Sequence, residues 1–255
     1  MKNRVCTLPL SLCLLLSMFS STLKAQQNEN LAWVTNEFRH IREAYLRSNA
    51  LSFGIRYLYT AEKDPAIILD SVTGSVQSLK GQYRLVLDST EIIKNERYGI
   101  TLFKEDKVMY LSGPPGKNMK TDPLMMPDSA FSHIPGLQCS VHTDKIFKTI
   151  SFIFPPDLQY KTIDFVMDTV SGLLVKAIYI VKTEQMTGGR AGTTPAAGLQ
   201  YDEYARVEAD FYNYSKEPPP GALFDEKEYF RKEGKEFKTT EKYKQYKIFT
   251  GSPDL

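Results

Sequence analysis

Few side chains in this sequence have the type and spacing that catalysis or metal binding requires, and the densest group is His133, Cys139 and His142. Such a group would suit zinc, or a cysteine–histidine nucleophile. Zinc needs three or four ligands, and no fourth ligand stands at a suitable spacing. In an extended strand, Cys139 and His142 would also lie on opposite faces. The preferred interpretation is a buried thiol beside surface histidines, with neither a metal nor a catalytic residue.

Residues 113–117, Gly-Pro-Pro-Gly-Lys, resemble part of a phosphate-binding loop. The complete loop needs glycine where Leu111 stands and serine or threonine where Asn118 stands, followed by a helix that faces the phosphates. Both residues differ and no helical pattern follows, so no nucleotide and no other cofactor is predicted. A Gly-x-Ser-x-Gly motif is also missing from the sequence. We therefore expect a protein that is not an enzyme, with an enzyme built around Cys139 as the third hypothesis.

The first 25 residues have the order of a secretory signal peptide. Lys2 and Arg4 precede an apolar run over residues 7–19, and small polar residues lead to Ala25, the predicted cleavage point. The apolar run is too short to span a bilayer comfortably, and no later segment is apolar enough to cross one. The mature chain is therefore expected to be soluble and periplasmic. Two of the three cysteines lie in the signal, which leaves Cys139 without a disulfide partner.

Charge gives no indication of a nucleic-acid partner. The whole chain has 32 basic and 30 acidic residues, a net charge of +2. The predicted signal carries three basic residues and no acidic ones, so the mature chain has 29 basic residues against 30 acidic ones and a net charge of −1. A near-neutral balance of this kind is no argument for binding to nucleic acid or to an anionic membrane, and no nucleic-acid partner is predicted.

Hydrophobic periodicity predicts one helix followed by many strands. Over residues 28–49, apolar side chains recur at three- and four-residue steps, as on one face of a helix. The period then changes to two over residues 51–60, the pattern of a half-buried strand. Short polar connections favour an antiparallel meander. Ten further strands are predicted, at residues 75–79, 82–88, 90–94, 98–104, 107–111, 137–142, 147–154, 162–167, 173–182 and 204–214.

Two segments interrupt this rhythm. Residues 112–136 are rich in proline and glycine and are predicted to be either a lid-like loop or a short helix across one sheet edge. Residues 184–200 have the composition of a mobile hairpin loop. Beyond residue 224 the chain is charged and aromatic, and its aromatic side chains could hold it against the body of the protein.

The order of helix, meander, lid-like segment and second set of strands resembles the periplasmic lipoprotein carrier family, the LolA/LolB-like fold. In residues 74–85, a glycine-containing strand leads into Tyr-Arg-Leu, which resembles that family's "fRl" strand. Residues 104–110 resemble its "dG…ly" hairpin, with Asp106-Lys107 in place of Asp-Gly. Residues 163–182 and 207–211 resemble its paired late strands, and Phe224 stands where its closing segment would lie. Residues 225–255 depart from the family as a long charged tail.

The resemblance implies a mostly β (α+β) fold, a curved antiparallel open barrel or half-barrel covered by the N-terminal helix and the lid-like segment. The domains would be a signal peptide at 1–25, a LolA-like β domain at 26–224 and a charged C-terminal tail at 225–255. A sheet of this kind can leave an apolar concavity for acyl chains. The family's lipid-cradling arginine has two candidates, Arg56 and Arg84. The candidate apolar lining is Tyr83, Leu85, Leu87, Tyr98, Ile100, Leu102, Val108 and Tyr110, although strand side chains of these types usually fill a core.

Two functions from different classes follow from this interpretation. The first is a non-catalytic periplasmic carrier for a lipid, a lipoprotein acyl chain or another apolar ligand. The alternative is a structural or accessory subunit of a bacterial cell-envelope or secretion assembly, with the lid-like segment and the tail as contact surfaces for an envelope protein. A ligand-filled pocket would favour the carrier, and a filled core with a patterned tail surface would favour the subunit.

Overall fold

The computed structural model describes residues 33–113, 134–186 and 202–251. A helix, α1, occupies residues 33–46 of the described chain, and a single turn, α2, occupies Thr183–Met186. None of the described helices is long and apolar enough to cross a membrane. The described strands are β1 (Ala50–Ala61), β2 (Ile68–Leu79), β3 (Gln82–Leu87), β4 (Thr90–Lys94), β5 (Gly99–Phe103), β6 (Val108–Ser112), β7 (Gln138–Thr143), β8 (Phe147–Ile153), β9 (Tyr160–Asp168), β10 (Leu174–Lys182), β11 (Tyr204–Ser215), β12 (Phe230–Glu233), β13 (Glu236–Thr239) and β14 (Lys247–Thr250).

Twelve of the described strands form one open sheet in the order β14-β6-β5-β4-β3-β2-β1-β11-β10-β9-β8-β7. All neighbours are antiparallel except β14, which pairs in parallel with β6. Strands β12 and β13 form a separate hairpin. Tight turns explain the meander locally: Lys80 and Gly81 both have positive φ, as a two-residue turn between twisted antiparallel strands requires.

Pairing across the sheet shows which side chains share a face, because directly opposed residues point to the same side. One row of opposed residues contains Phe53, Val76, Leu85, Ile92, Thr101 and Tyr110. A second row, on the other side, contains Arg84, Ile93, Ile100 and Leu111. We call the side of Phe53 the inner face, since α1 packs on it, and the other side the outer face.

Helix α1 covers the inner face of the later strands. Phe38 contacts two buried rings of the sheet, with centroid distances of 5.9 Å to Phe152 and 5.4 Å to Phe165. Farther along the helix, the hydroxyl of Tyr45 lies 2.7 Å from that of Tyr214, which donates a hydrogen bond to the Leu174 carbonyl oxygen. The helix and the inner face together form the larger hydrophobic core.

A second core lies on the outer face of β4–β6, beneath residues 221–250, which we call the C-terminal segment. This core contains Ile93, Ile100, Leu102, Met109 and Leu111 from the sheet, and Tyr229, Phe230 and Tyr243 from the segment. Asn95 anchors the segment, since its Nδ2 donates hydrogen bonds to the Phe224 carbonyl oxygen at 2.9 Å and to Glu226 Oε2 at 2.8 Å. Arg97 adds an ion pair with Glu226.

The predicted fold class is confirmed: the described part of the chain is mostly β, with a large and mainly antiparallel open sheet and the N-terminal helix α1. The eleven predicted strands correspond to β1–β11, although β2 starts earlier than expected, at Ile68. Strands β12–β14 were not predicted, because each has only four residues, too few to show a clear alternation. The signal peptide, the start of the predicted helix, most of the lid-like segment and most of the loop at 184–200 lie outside the described residues.

Candidate functional site

Five of the eight predicted lining residues lie on the inner face of β3 and β6. They are Tyr83, Leu85, Leu87, Val108 and Tyr110. Leu85 and Leu87 pack against the larger core, whereas Tyr110 is 40% exposed. Sequence reasoning missed two neighbours on this face: Phe103, opposite Val108 and 41% exposed, and Phe249, opposite Tyr110 and 52% exposed. We call these seven residues the apolar strip.

The other three predicted residues, Tyr98, Ile100 and Leu102, lie on the outer face. Ile100 and Leu102 are fully buried in the second core. Tyr98 packs edge-on against Phe230 of the C-terminal segment, with a centroid distance of 5.1 Å. The structure therefore does not bring the eight residues together, and these three contact the protein's own C-terminal segment.

Both candidate arginines also lie on the outer face, where carboxylates pair with them. Arg56 Nη2 is 2.7 Å from Asp210 Oδ2. Burial raises the pKa of Asp210, but hydrogen bonds from Arg56 and Lys176 outweigh that effect and hold it below its usual value. Arg84 donates to Glu91 Oε1 at 2.7 Å and to Gln77 Oε1 at 2.8 Å. The sheet thus separates both arginines from the apolar strip.

Four tyrosines that the sequence reasoning did not select lie on the inner face of β1, β9 and β10. Tyr57 stands opposite Ala209, Tyr59 and Tyr179 stand on either side of Val207, and Tyr160 stands opposite Val181. All four are half-buried. In the sequence, alternation places Tyr57 and Tyr59 on the same face of β1 as Phe53. Strand pairing then places Tyr160 and Tyr179 on that face as well. We call them the tyrosine cluster.

Cys139 and its two histidine neighbours do not form a site among the described residues. Cys139 stands opposite Phe152 on the inner face, whereas His142 stands opposite Thr149 on the outer face. His133 lies outside the described residues. Burial raises the pKa of the Cys139 thiol, which disfavours the reactive thiolate. In the part of the chain that the structure describes, no three His, Cys, Asp or Glu side chains are grouped so as to hold a metal ion.

Comparison with known proteins gives structural neighbours only. No protein-family model and no curated protein sequence matches this chain. An uncharacterized conserved protein from Thermus thermophilus aligns over 85% of this chain and 98% of its own, with 5% identity and a TM-score of 0.45.

A LolA superfamily protein from Nitrosomonas europaea aligns over 74% of this chain and 96% of its own, with 10% identity and a TM-score of 0.31. The Mycobacterium tuberculosis lipoprotein LppX aligns over 74% and 98%, with 13% identity and a TM-score of 0.35. Both proteins are distant structural neighbours of this chain.

Proposed function

We propose that the protein is a non-catalytic periplasmic binding protein that carries a lipid, a lipoprotein acyl chain or another apolar ligand on the inner face of its sheet. The observation that carries this proposal is the apolar strip. Phe103, Tyr110 and Phe249 are adjacent on three neighbouring strands, and each exposes about two fifths or more of its side chain. Apolar side chains grouped in this way are typical of a binding surface.

The two faces of the same strands support this interpretation by their contrast. On the outer face of β4–β6, the C-terminal segment reduces the exposure of the sheet's core side chains to 0%. On the inner face, the strip stays half-exposed. Removing such side chains from water contributes a favourable free energy of about 25 cal/mol per Å² of apolar area. An acyl chain lying along the strip would therefore be bound favourably.

The strip also borders the helix-covered core, because two of its members, Leu85 and Leu87, pack against that core. A ligand there would extend an apolar surface that already exists rather than require a new cavity. In the carrier interpretation, Leu85, Leu87 and Val108 form the floor, and the more exposed rings of Tyr83, Phe103, Tyr110 and Phe249 flank the ligand.

Native mass spectrometry of the protein purified from a periplasmic fraction, with lipid extraction of the same sample, tests this function. We expect a discrete bound mass that is recovered as lipid. Tyr110→Gln should reduce the bound fraction, whereas Tyr212→Gln should retain it, since Tyr212 is also 40% exposed but lies on the outer face. A bare protein that also fails to bind added acyl ligands would exclude the carrier function.

A second candidate is an accessory subunit of a cell-envelope assembly that contacts its partner through the C-terminal segment. The β12–β13 hairpin favours it, since Arg231, Lys232, Glu233 and Glu236 are exposed on it. The segment's buried aromatic rings are occupied by the protein's own sheet, so such a contact would be polar. Cross-linking in intact cells with Lys232→Glu as the variant tests it, and unchanged cross-links to envelope proteins would exclude this role for the hairpin.

A further inference from the structure

Three members of the tyrosine cluster, Tyr57, Tyr160 and Tyr179, pack against the larger core and remain half-buried at its edge. Tyr57 and Tyr179 lie diagonally across a pair of opposed alanines, Ala177 and Ala209, which are both buried. Because alanine has a short side chain, the larger tyrosine rings bound this part of the inner face. Tyr160 extends the group, with a centroid distance of 6.3 Å between its ring and that of Tyr179.

Among the described residues, no hydrogen bond to a hydroxyl of the cluster is found, and no fully buried polar side-chain atom lacks a partner, so these hydroxyls are accessible to solvent or to a ligand. Burial raises the pKa of Tyr57, Tyr59 and Tyr179, and neighbouring tyrosines add to the effect at Tyr57 and Tyr179. The phenols of Tyr57, Tyr59 and Tyr179 are therefore neutral at physiological pH, so each can both donate and accept a hydrogen bond. By contrast, the hydroxyl of Tyr45 on α1 is paired with that of Tyr214 on β11.

The charges around the cluster do not suit an anion. Asp70 stands opposite Tyr59, and its charge raises the pKa of that phenol further. Lys161 follows Tyr160 in the chain, but its ammonium group is bonded to Glu62. Among the described residues, a carboxylate or phosphate bound at the cluster would therefore meet the acidic Asp70, and the neighbouring Lys161 is already paired. An uncharged acceptor such as a carbonyl oxygen meets no such penalty.

The cluster and the apolar strip occupy the same face. Tyr57 stands opposite Val72 on β2, two residues before Gly74, which pairs with Leu87 of the strip. From these observations we infer that the tyrosine cluster binds the uncharged, hydrogen-bond-accepting head group of an amphiphile, of the acylglycerol class, whose acyl chain lies along the strip. This inference rests on the proposed carrier function and adds the chemistry of the head group.

A displacement assay with one fluorescent probe and two competing ligands tests the inference. N-phenyl-1-naphthylamine reports on the apolar strip, and 1-oleoylglycerol and oleate then compete for it with the same acyl chain but with an ester or a carboxylate head. The variant is Tyr57→Phe/Tyr179→Phe, which removes two hydroxyls and leaves both rings in place. The matched control is Tyr212→Phe, which removes a hydroxyl from the outer face.

We expect wild type to bind 1-oleoylglycerol more tightly than oleate. The double variant should lose about threefold to tenfold in 1-oleoylglycerol affinity for each hydroxyl removed, with N-phenyl-1-naphthylamine binding unchanged. Equal 1-oleoylglycerol affinity in wild type and double variant, or tighter binding of oleate by wild type, would overturn the head-group inference and leave the carrier function standing. No binding of N-phenyl-1-naphthylamine or of either competitor by wild type would overturn both.

Discussion

Glu37 of α1 accepts a hydrogen bond from Lys148 of β8, with 2.7 Å between Oε2 and Nζ. The Glu37 side chain is 8% exposed and that of Lys148 27%, so the pair lies where the helix meets the inner face. Its position matters because α1 is the element that covers this half of the sheet. A partly buried charge pair of this kind fixes the helix in one orientation, since any other placement would leave a carboxylate buried without a partner.

Removing the Lys148 cation should therefore lower the free energy of unfolding more than removing an exposed cation would. We expect Lys148→Met to lower the free energy of unfolding by about 1–3 kcal/mol, because Glu37 would remain buried and unpaired. Urea denaturation followed by tyrosine fluorescence measures the change. As a control, Lys244→Met breaks an exposed pair with Glu241 and should change stability by less than about 0.5 kcal/mol. Equal effects of the two substitutions would show that the helix contact does not depend on this pair.

The C-terminal segment should contribute a large share of the stability of β4–β6. Phe230 is 2% exposed and packs against Tyr98 and Phe237. Phe230→Ala is expected to lower the free energy of unfolding by about 3–5 kcal/mol, the usual cost of a cavity left by a buried aromatic ring. Phe249→Ala, at a ring that is half-exposed in the same segment, should cost less than about 1 kcal/mol. A small effect at Phe230 would mean that the segment is not part of the cooperative unit.

Stability should fall in acid partly through Glu91. Burial raises the pKa of this carboxyl, but hydrogen bonds and charges from Arg84 and Lys104 outweigh burial, so the net pKa is below the ordinary value of 4.5. A lowered folded-state pKa means that the carboxylate stabilises the protein above about pH 4.5, and that this contribution is lost as the pH falls through the folded-state pKa.

The variant Glu91→Gln should accordingly be less stable than wild type at pH 7, and the difference should shrink as the pH falls toward about 3. Denaturant unfolding at a series of pH values provides the comparison. Glu233→Gln serves as the control, since Glu233 lies in an exposed pair with Lys238. A wild-type advantage over Glu91→Gln that stays constant down to pH 3 would contradict the assignment.

The turn between β2 and β3 should be more stable with glycine than with alanine at its second position. Gly81 has a φ of +82°, in the left-handed region, and a Cβ there would meet no atom within 4 Å. Gly81→Ala should therefore lower the free energy of unfolding by about 1 kcal/mol through backbone strain alone. Gly221→Ala, at a glycine that also has open space but an ordinary φ, is expected to be nearly neutral. Thermal denaturation of both variants distinguishes strain from steric contact.

The sequence by itself determined the strands β1–β11 and the mostly β class, because alternation with a period of two and short polar turns are local properties of the chain. Alternation also predicts which residues within one strand share a face. It cannot relate the faces of different strands. Leu85 and Leu87 have the same alternating pattern as Ile100 and Leu102, yet register places the first pair on the inner face and the second on the outer face.

Only the tertiary structure decided what covers each face. The outer face of β4–β6 is covered by residues more than a hundred positions later in the chain, and the four residues of β14 are too few to give a strand signal. The tyrosine cluster likewise depends on the pairing of β1 with β11 and of β11 with β10. Contacts of such long sequence separation depend on how the strands pair across the whole sheet and on what packs against each face, and no local pattern specifies them.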